Sequence, residues 1–176
     1  MLQFFKWHSR SYCSSGAQGG QVKSQLQVLD LPVDRIESPL VAVPFFSDQR
    51  PLEGPVALLD WRLDGMLTAQ LVAGQTRGDA GDRYLVKANH KVTAEWVLFV
   101  GCGPCPSSDK SAAESVVAEL LATALQAGFS QVALGLPVES RERLVVWQEV
   151  LESALKSPDA KRLHCQLAAC DPAIYS

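Results

Sequence analysis

The residues with the plainest chemistry are Cys102 and Cys105, which enclose the segment Cys102-Gly103-Pro104-Cys105. Between a strand and a helix, such a pair suits dithiol exchange. The first thiolate, its pKa lowered by the positive end of the helix dipole, attacks a disulfide, and the second thiol resolves the mixed species. The flanks fit that chemistry poorly. Gly101 stands where dithiol-exchange sites carry a tryptophan, Pro106 follows the second cysteine, and no Ile-Pro-Thr-like segment comes later in the chain. Turn cysteines without redox chemistry are the simpler reading, with the exchange pair Cys102 and Cys105 as the enzymatic alternative.

The same turn offers a second chemistry through its backbone. A strand, a glycine-rich turn and a helix N-terminus together present N–H groups and a positive dipole end, which is how phosphates are cradled. Gly101 and Gly103 would allow close approach, and Ser107, Ser108 and Ser111 would add hydroxyl donors. These five are the candidate ligand-binding residues. They form neither a Walker motif nor a full dinucleotide fingerprint, and glycines at such a place also serve a tight turn alone.

Other constellations are weaker. A zinc site drawn from Cys102, Cys105, Cys165 and Cys170, with His164 in reserve, has one good CxxC half and one loose half on a strand whose residues alternate faces. No nucleophile elbow surrounds any serine, and His8, His90 and His164 lie in the leader, a turn and a strand start. The loop 77–83 carries two arginines and two aspartates, which suit a solvated turn better than an anion or partner site. Trp61, Trp96 and Trp147 fall on helix or strand positions as core or interface anchors.

The elements that must position these residues follow from periodicity. Apolar runs at 26–29, 40–46 (LVAVPFF), 84–86, 96–100, 131–136 and 163–169 predict strands, and Pro44 predicts that the second ends early or lies near an edge. Residues 55–73 carry apolar positions at helical spacing, broken into two helices at Gly65. The clearest helix spans about residues 108–127, with Ser111 and Glu114 as a capping box and Gly128 as its stop. Ser140 caps a helix that ends before Pro158. Strands interleaved with helices, Val-rich and weakly alternating, predict an α/β fold with a mixed, mostly parallel sheet covered on both faces.

Composition narrows the function classes. The chain has 176 residues, 47% hydrophobic and 20% charged, with a net charge of −3, enough for one domain with a real core. Of its 16 basic residues only Lys6, Arg10 and Lys23 precede the first acidic one, Asp30, so the remainder holds 13 basic against 19 acidic residues. No basic cluster supports a nucleic-acid partner, and no apolar run approaches the roughly 18 residues of a membrane span. Residues 1–24 lack a secretory apolar stretch and read as a flexible leader, with a weak organellar transit peptide as the alternative; residues 25–176 are the expected domain. Five cysteines, at 13, 102, 105, 165 and 170, suit a reducing, cytoplasmic setting better than a disulfide framework.

The order of elements and the glycine punctuation resemble the N-terminal, macro-domain-like domain of the leucyl aminopeptidase family. The matching stretches are LVAVPFF, LLDWRLDGMLTAQL with Asp60, Gly65 and Leu67, GQTRGDAGDRYLV with Gly74, Gly78 and Gly81, and VLFVGCG before a long Ala-rich helix. The resemblance implies a macro-like three-layer fold and a non-catalytic role. The family's peptidase chemistry belongs to a C-terminal domain with two metal ions about 3.5–4 Å apart, which need several converging carboxylates, and no segment here matches its NTDAEGR-type motif. The expectation is a stand-alone binding, regulatory or oligomerisation module without a cofactor. The resemblance points to a nucleotide or ADP-ribose-like ligand, or to a homo-oligomeric or peptidase-related protein partner.

Overall fold

The computed structural model describes residues 25–106 and 109–169. The leader, Ser107, Ser108 and Cys170 lie outside the described residues.

Among the described residues six strands form one sheet: β1 (Leu26–Leu29), β2 (Leu40–Phe45), β3 (Arg83–Lys87), β4 (Trp96–Gly101), β5 (Gln131–Leu134) and β6 (His164–Ala168). Their spatial order is β1-β6-β5-β2-β4-β3, with β3 antiparallel to β4 and every other pair parallel. Four helices cover it: α1 (Gly54–Arg62), α2 (Met66–Val72), α3 (Lys110–Gln126) and α4 (Arg141–Leu155). This is the α/β fold expected, with three layers.

Strand alternation makes two cores. Leu40, Ala42, Leu98 and Val100 point to one face, where Val117 and Leu120 of α3 and Trp147 and Leu151 of α4 cover them. Val41, Val43, Val97 and Phe99 point to the other, against Val56 and Leu59 of α1 and Leu67 of α2. Because both faces are covered, every residue of β2 is buried and its sequence reads as a continuous apolar run.

Pro44 corrects one expectation, since β2 lies in the middle of the sheet. The Phe45 carbonyl accepts from Cys102 N–H on the β4 side, and the Ala42 carbonyl accepts from Gly135 N–H on the β5 side. Pro44 shares the orientation of Ala42, and β5 pairs with β2 only at Val41 and Ala42. The missing N–H of the proline therefore faces a place where the neighbouring strand has already ended, and no ladder bond is lost. Gly135 ends β5 two residues before the apolar run does.

The helix ends show how the sites are held. Gly65, at φ 71°, separates α1 from α2, and the buried Asp60 carboxylate caps the second helix. Its Oδ1 accepts from Leu67 N–H at 2.6 Å and Thr68 N–H at 3.3 Å, and its Oδ2 accepts from the Thr68 hydroxyl. Helix α3 stops in a Schellman arrangement, with Gly128 N–H donating to the Leu125 carbonyl and Phe129 N–H to that of Ala124. Its start differs from the expected capping box. Asp109 is the N-cap, accepting from Ser111 N–H, and Ser111 sits inside the first turn. Both residue types cap well, and aspartate one residue before the helix takes the role first.

Candidate functional site

Open α/β sheets bind ligands outside the carboxyl ends of their parallel strands. In this chain that rim is built by residues 46–53 after β2, 102–106 after β4, 135–140 after β5 and 73–82, which leads into the antiparallel β3. The glycine turn predicted to cradle an anion is there, between β4 and α3.

Its N–H groups already have acceptors inside the protein. Gly101 N–H donates to the Asp82 carbonyl at 2.7 Å, Cys102 N–H to Phe45 at 3.1 Å and Gly103 N–H to Gly78 at 2.9 Å. Cys105 N–H donates to Oδ1 of Asp48 at 2.7 Å. The Gly103 carbonyl in turn accepts from Ser47 N–H at 2.8 Å. Asp48 thus occupies, with its own carboxylate, the kind of position an external anion would take.

The loop that supplies Gly78 is itself rigidly braced. Oδ2 of Asp82 accepts from the Thr76 hydroxyl and from the N–H groups of Arg77 and Gly78 at 3.2 Å. Arg50 reaches across from the β2 loop to the carbonyls of Phe46 at 2.6 Å and Arg77 at 2.8 Å. A Cβ at Gly101 would lie 2.3 Å from the Asp79 carbonyl oxygen, and one at Gly78 would lie 2.9 Å from backbone atoms of Phe46. Glycine is required at both places because loop 76–82 lies directly against the strand ends. Gly103, at φ 73°, has open space around its Cβ position, and its conformation explains the residue there. Asp48 and Arg50 were not singled out by sequence reasoning, Asp82 was read only as part of a solvated turn, and Ser111 is the second residue of α3.

The two thiols of the turn differ. Cys102 is half-buried beneath the turn, its Sγ 3.5 Å from the Val100 carbonyl oxygen. Burial, and then the negative charge of Glu119, push its pKa up to about 12. Exposed Cys105 is also raised, first by desolvation and then by Asp48, Glu139 and Glu53, with Arg143 pulling the other way. A thiol with a raised pKa stays protonated at neutral pH, so the nucleophile that dithiol exchange needs is suppressed. Among the described cysteines, iodoacetamide at neutral pH is expected to alkylate Cys105 in the folded, reduced protein and to leave Cys102 and Cys165 intact until unfolding. Peptide mass mapping reads this directly, and equal rates at Cys102 and Cys105 would contradict it.

The described members of the zinc set stand apart: Cys165 lies near the start of β6 and Cys102 follows the end of β4, so the parallel strands place them at opposite ends of the sheet. Among the described residues no group of three or more His, Cys, Asp or Glu stands where it could hold a metal ion.

The family model described as "Cytosol aminopeptidase family, N-terminal domain" matches residues 42–157. The chain belongs to this family. A probable cytosol aminopeptidase from Cyanothece sp. is 24% identical over 113 residues, covering 64% of this chain and 23% of that protein. A tomato leucine aminopeptidase mutant superposes with a TM-score of 0.61 at 16% identity, over 88% of this chain and 34% of the other. A Trypanosoma brucei macrodomain solved with ADP-ribose gives a TM-score of 0.55 at 18% identity, over 85% and 65% of the two chains. This cytosol aminopeptidase N-terminal domain thus has a macrodomain-like fold, and the chain spans about a quarter to a third of the length of the aminopeptidases it matches. Among the described residues no helix is long and apolar enough to cross a membrane.

Proposed function

We propose that this chain is a non-catalytic binding module whose partner is a protein, and that it does not use its rim to hold a nucleotide. The observation that carries this reading is the commitment of the Cys102, Gly103 and Cys105 N–H groups to acceptors within the chain. A diphosphate entering the turn would have to displace the Asp48 carboxylate and the Gly78 carbonyl. It would then face Asp48, Glu53 and Glu139, the carboxylates that act on Cys105. Each is repelled by a phosphate, against the one guanidinium, Arg143, that acts on the same thiol, and the turn amides would only exchange one acceptor for another. Peptide hydrolysis, on this reading, belongs to the part of the related aminopeptidases that this chain does not span. A reducing, cytoplasmic setting is part of this reading, carried by the odd number and scattered spacing of the five cysteines.

The nucleotide reading is supported by the likeness to macrodomains solved with ADP and with ADP-ribose. Thermal unfolding separates the two. With ADP-ribose or ADP in large excess, the protein-binding reading predicts an unchanged Tm. A ligand at about 100 times its Kd adds about 2.7 kcal/mol, which would raise the Tm by several degrees in a domain of this size. Such a rise would overturn the proposal in favour of a nucleotide site.

A further inference from the structure

Strand β3 is the last strand on its side of the described sheet, bonded to β4 along one edge. In an antiparallel pair, residues that turn both backbone groups to the partner alternate with residues that turn both away. Gly101 N–H donates to the Asp82 carbonyl and Ala88 N–H to that of Glu95, and both couples stand directly opposite in the register that sets Arg83 against Val100 and Lys87 against Trp96. Asp82, Tyr84, Val86 and Ala88 therefore face β4. Arg83, Leu85 and Lys87 turn their N–H and C=O groups outward, and among the described residues no hydrogen bond reaches those groups.

The side chains along this open row are cationic at both ends and apolar between. All three lie on the α3 side of the sheet, where Leu85 packs against the core and Arg83 bonds to Glu119 at 2.6 Å and Gln126 at 3.0 Å. Lys87 is exposed, and its ammonium lies 5.9 Å from the Trp96 ring centroid. Among the described residues no carboxylate pairs with it, and β3 itself carries no acidic residue. Charge also decides what does not pair at this edge. A second copy laid antiparallel about Leu85 would set Lys87 beside Arg83 of its mate, and like charges directly opposite are destabilising.

We infer that β3 takes up an extended acidic segment of another protein as an added strand, with a carboxylate opposite Lys87 and an apolar side chain opposite Leu85. Backbone bonds to the three outward residues supply affinity, and the alternate side chains supply specificity. An unpaired ammonium beside an open ladder selects a segment that brings the opposite charge in the register of the ladder. The inference rests on the reading of the chain as a protein-binding module and names the surface and the chemistry of its partner.

The probe is a fluorescein-labelled peptide, Thr-Glu-Thr-Leu-Thr-Glu-Thr, whose symmetry sets a glutamate opposite Lys87 in either direction. Titrated with the full, reduced chain and followed by anisotropy, it is expected to bind saturably. Binding is expected to weaken about 5- to 10-fold for Lys87→Glu, and to be lost when lysine replaces both glutamates or when the leucine nitrogen of the peptide is methylated. The methylated peptide separates strand pairing from charge attraction, because it loses a ladder donor and keeps its charge. In ¹⁵N-labelled chain the Arg83, Leu85 and Lys87 amides are expected to exchange rapidly with deuterium and those of Tyr84 and Val86 slowly, and the peptide is expected to slow the first three. No saturable binding, equal binding of the lysine or the methylated peptide, or exchange slowed elsewhere than at β3 would overturn the inference. So would outward amides that are already slow in the free chain, since they would show the edge covered by a second copy. A rise in Tm with ADP-ribose overturns the protein-binding reading, whereas loss of peptide binding without that rise overturns the edge alone.

Discussion

Trp147→Ala is expected to destabilise the domain by about 3–5 kcal/mol, the range for removing a large buried aromatic, and to lower the Tm by roughly 10–15 °C. Trp147 is fully buried in the core between the sheet and helices α3 and α4. Its Nε1–H donates to the Pro137 carbonyl at 2.9 Å, tying α4 to the segment that follows β5. Arg143 lies 4.9 Å from the ring centroid and donates to the Pro106 carbonyl at 3.3 Å. Truncation therefore opens a cavity, leaves a carbonyl without its donor and loosens a tie to the glycine turn. Trp147→Phe keeps most of the apolar contact and loses the hydrogen bond, so it should cost about 1–2 kcal/mol. Urea unfolding of the three proteins measures the series, and a loss below about 1 kcal/mol for the alanine variant would contradict this account of the core.

Gly101→Val is the second large effect, expected at about 3 kcal/mol. The new Cβ would fall 2.3 Å from the Asp79 carbonyl oxygen and 2.8 Å from Cβ of Asp82, against backbone and a short side chain that cannot swing away. Relief requires the 76–82 loop to lift off the strand ends, which would break the Gly103-to-Gly78 hydrogen bond and expose the turn. Gly103→Ala is the informative contrast. Nothing lies within 4 Å of its Cβ position, so only the positive φ is penalised, at about 1 kcal/mol. Equal losses at the two glycines would show that the loop yields to a side chain at Gly101, and would contradict its close approach as the reason for glycine there.

The fold was largely legible in the sequence because a sheet covered on both faces writes its strands as apolar runs and its helices as stripes. LVAVPFF and VLFVG announce the central strands, Ala113 to Leu125 the long helix, and Gly65 the break between α1 and α2. Pro44 misled because proline reports a missing donor without reporting which neighbour has already ended. Asp109 and Ser111 are both good caps, and local pattern could not choose between them. The turn at Gly101 was located correctly, yet its state was not legible. The bonds that close it join Gly103 to Gly78 and Cys105 to Asp48, pairs far apart in the chain. Backbone-to-backbone bonds leave no side-chain signature, and a lone aspartate after a strand carries no mark of where its carboxylate will dock. Trp61 likewise reads as an ordinary helix anchor until its exposure, 68%, is seen.

The rim amides are already occupied, and their resonances report on that occupancy most directly. In ¹⁵N-labelled protein titrated with ADP-ribose, the Gly103 and Cys105 amides are expected to keep their positions and to exchange slowly with deuterium throughout. Saturable shifts at these two amides would contradict the account, because they would show that the Asp48 carboxylate and the Gly78 carbonyl yield to a phosphate and that the rim is a nucleotide site.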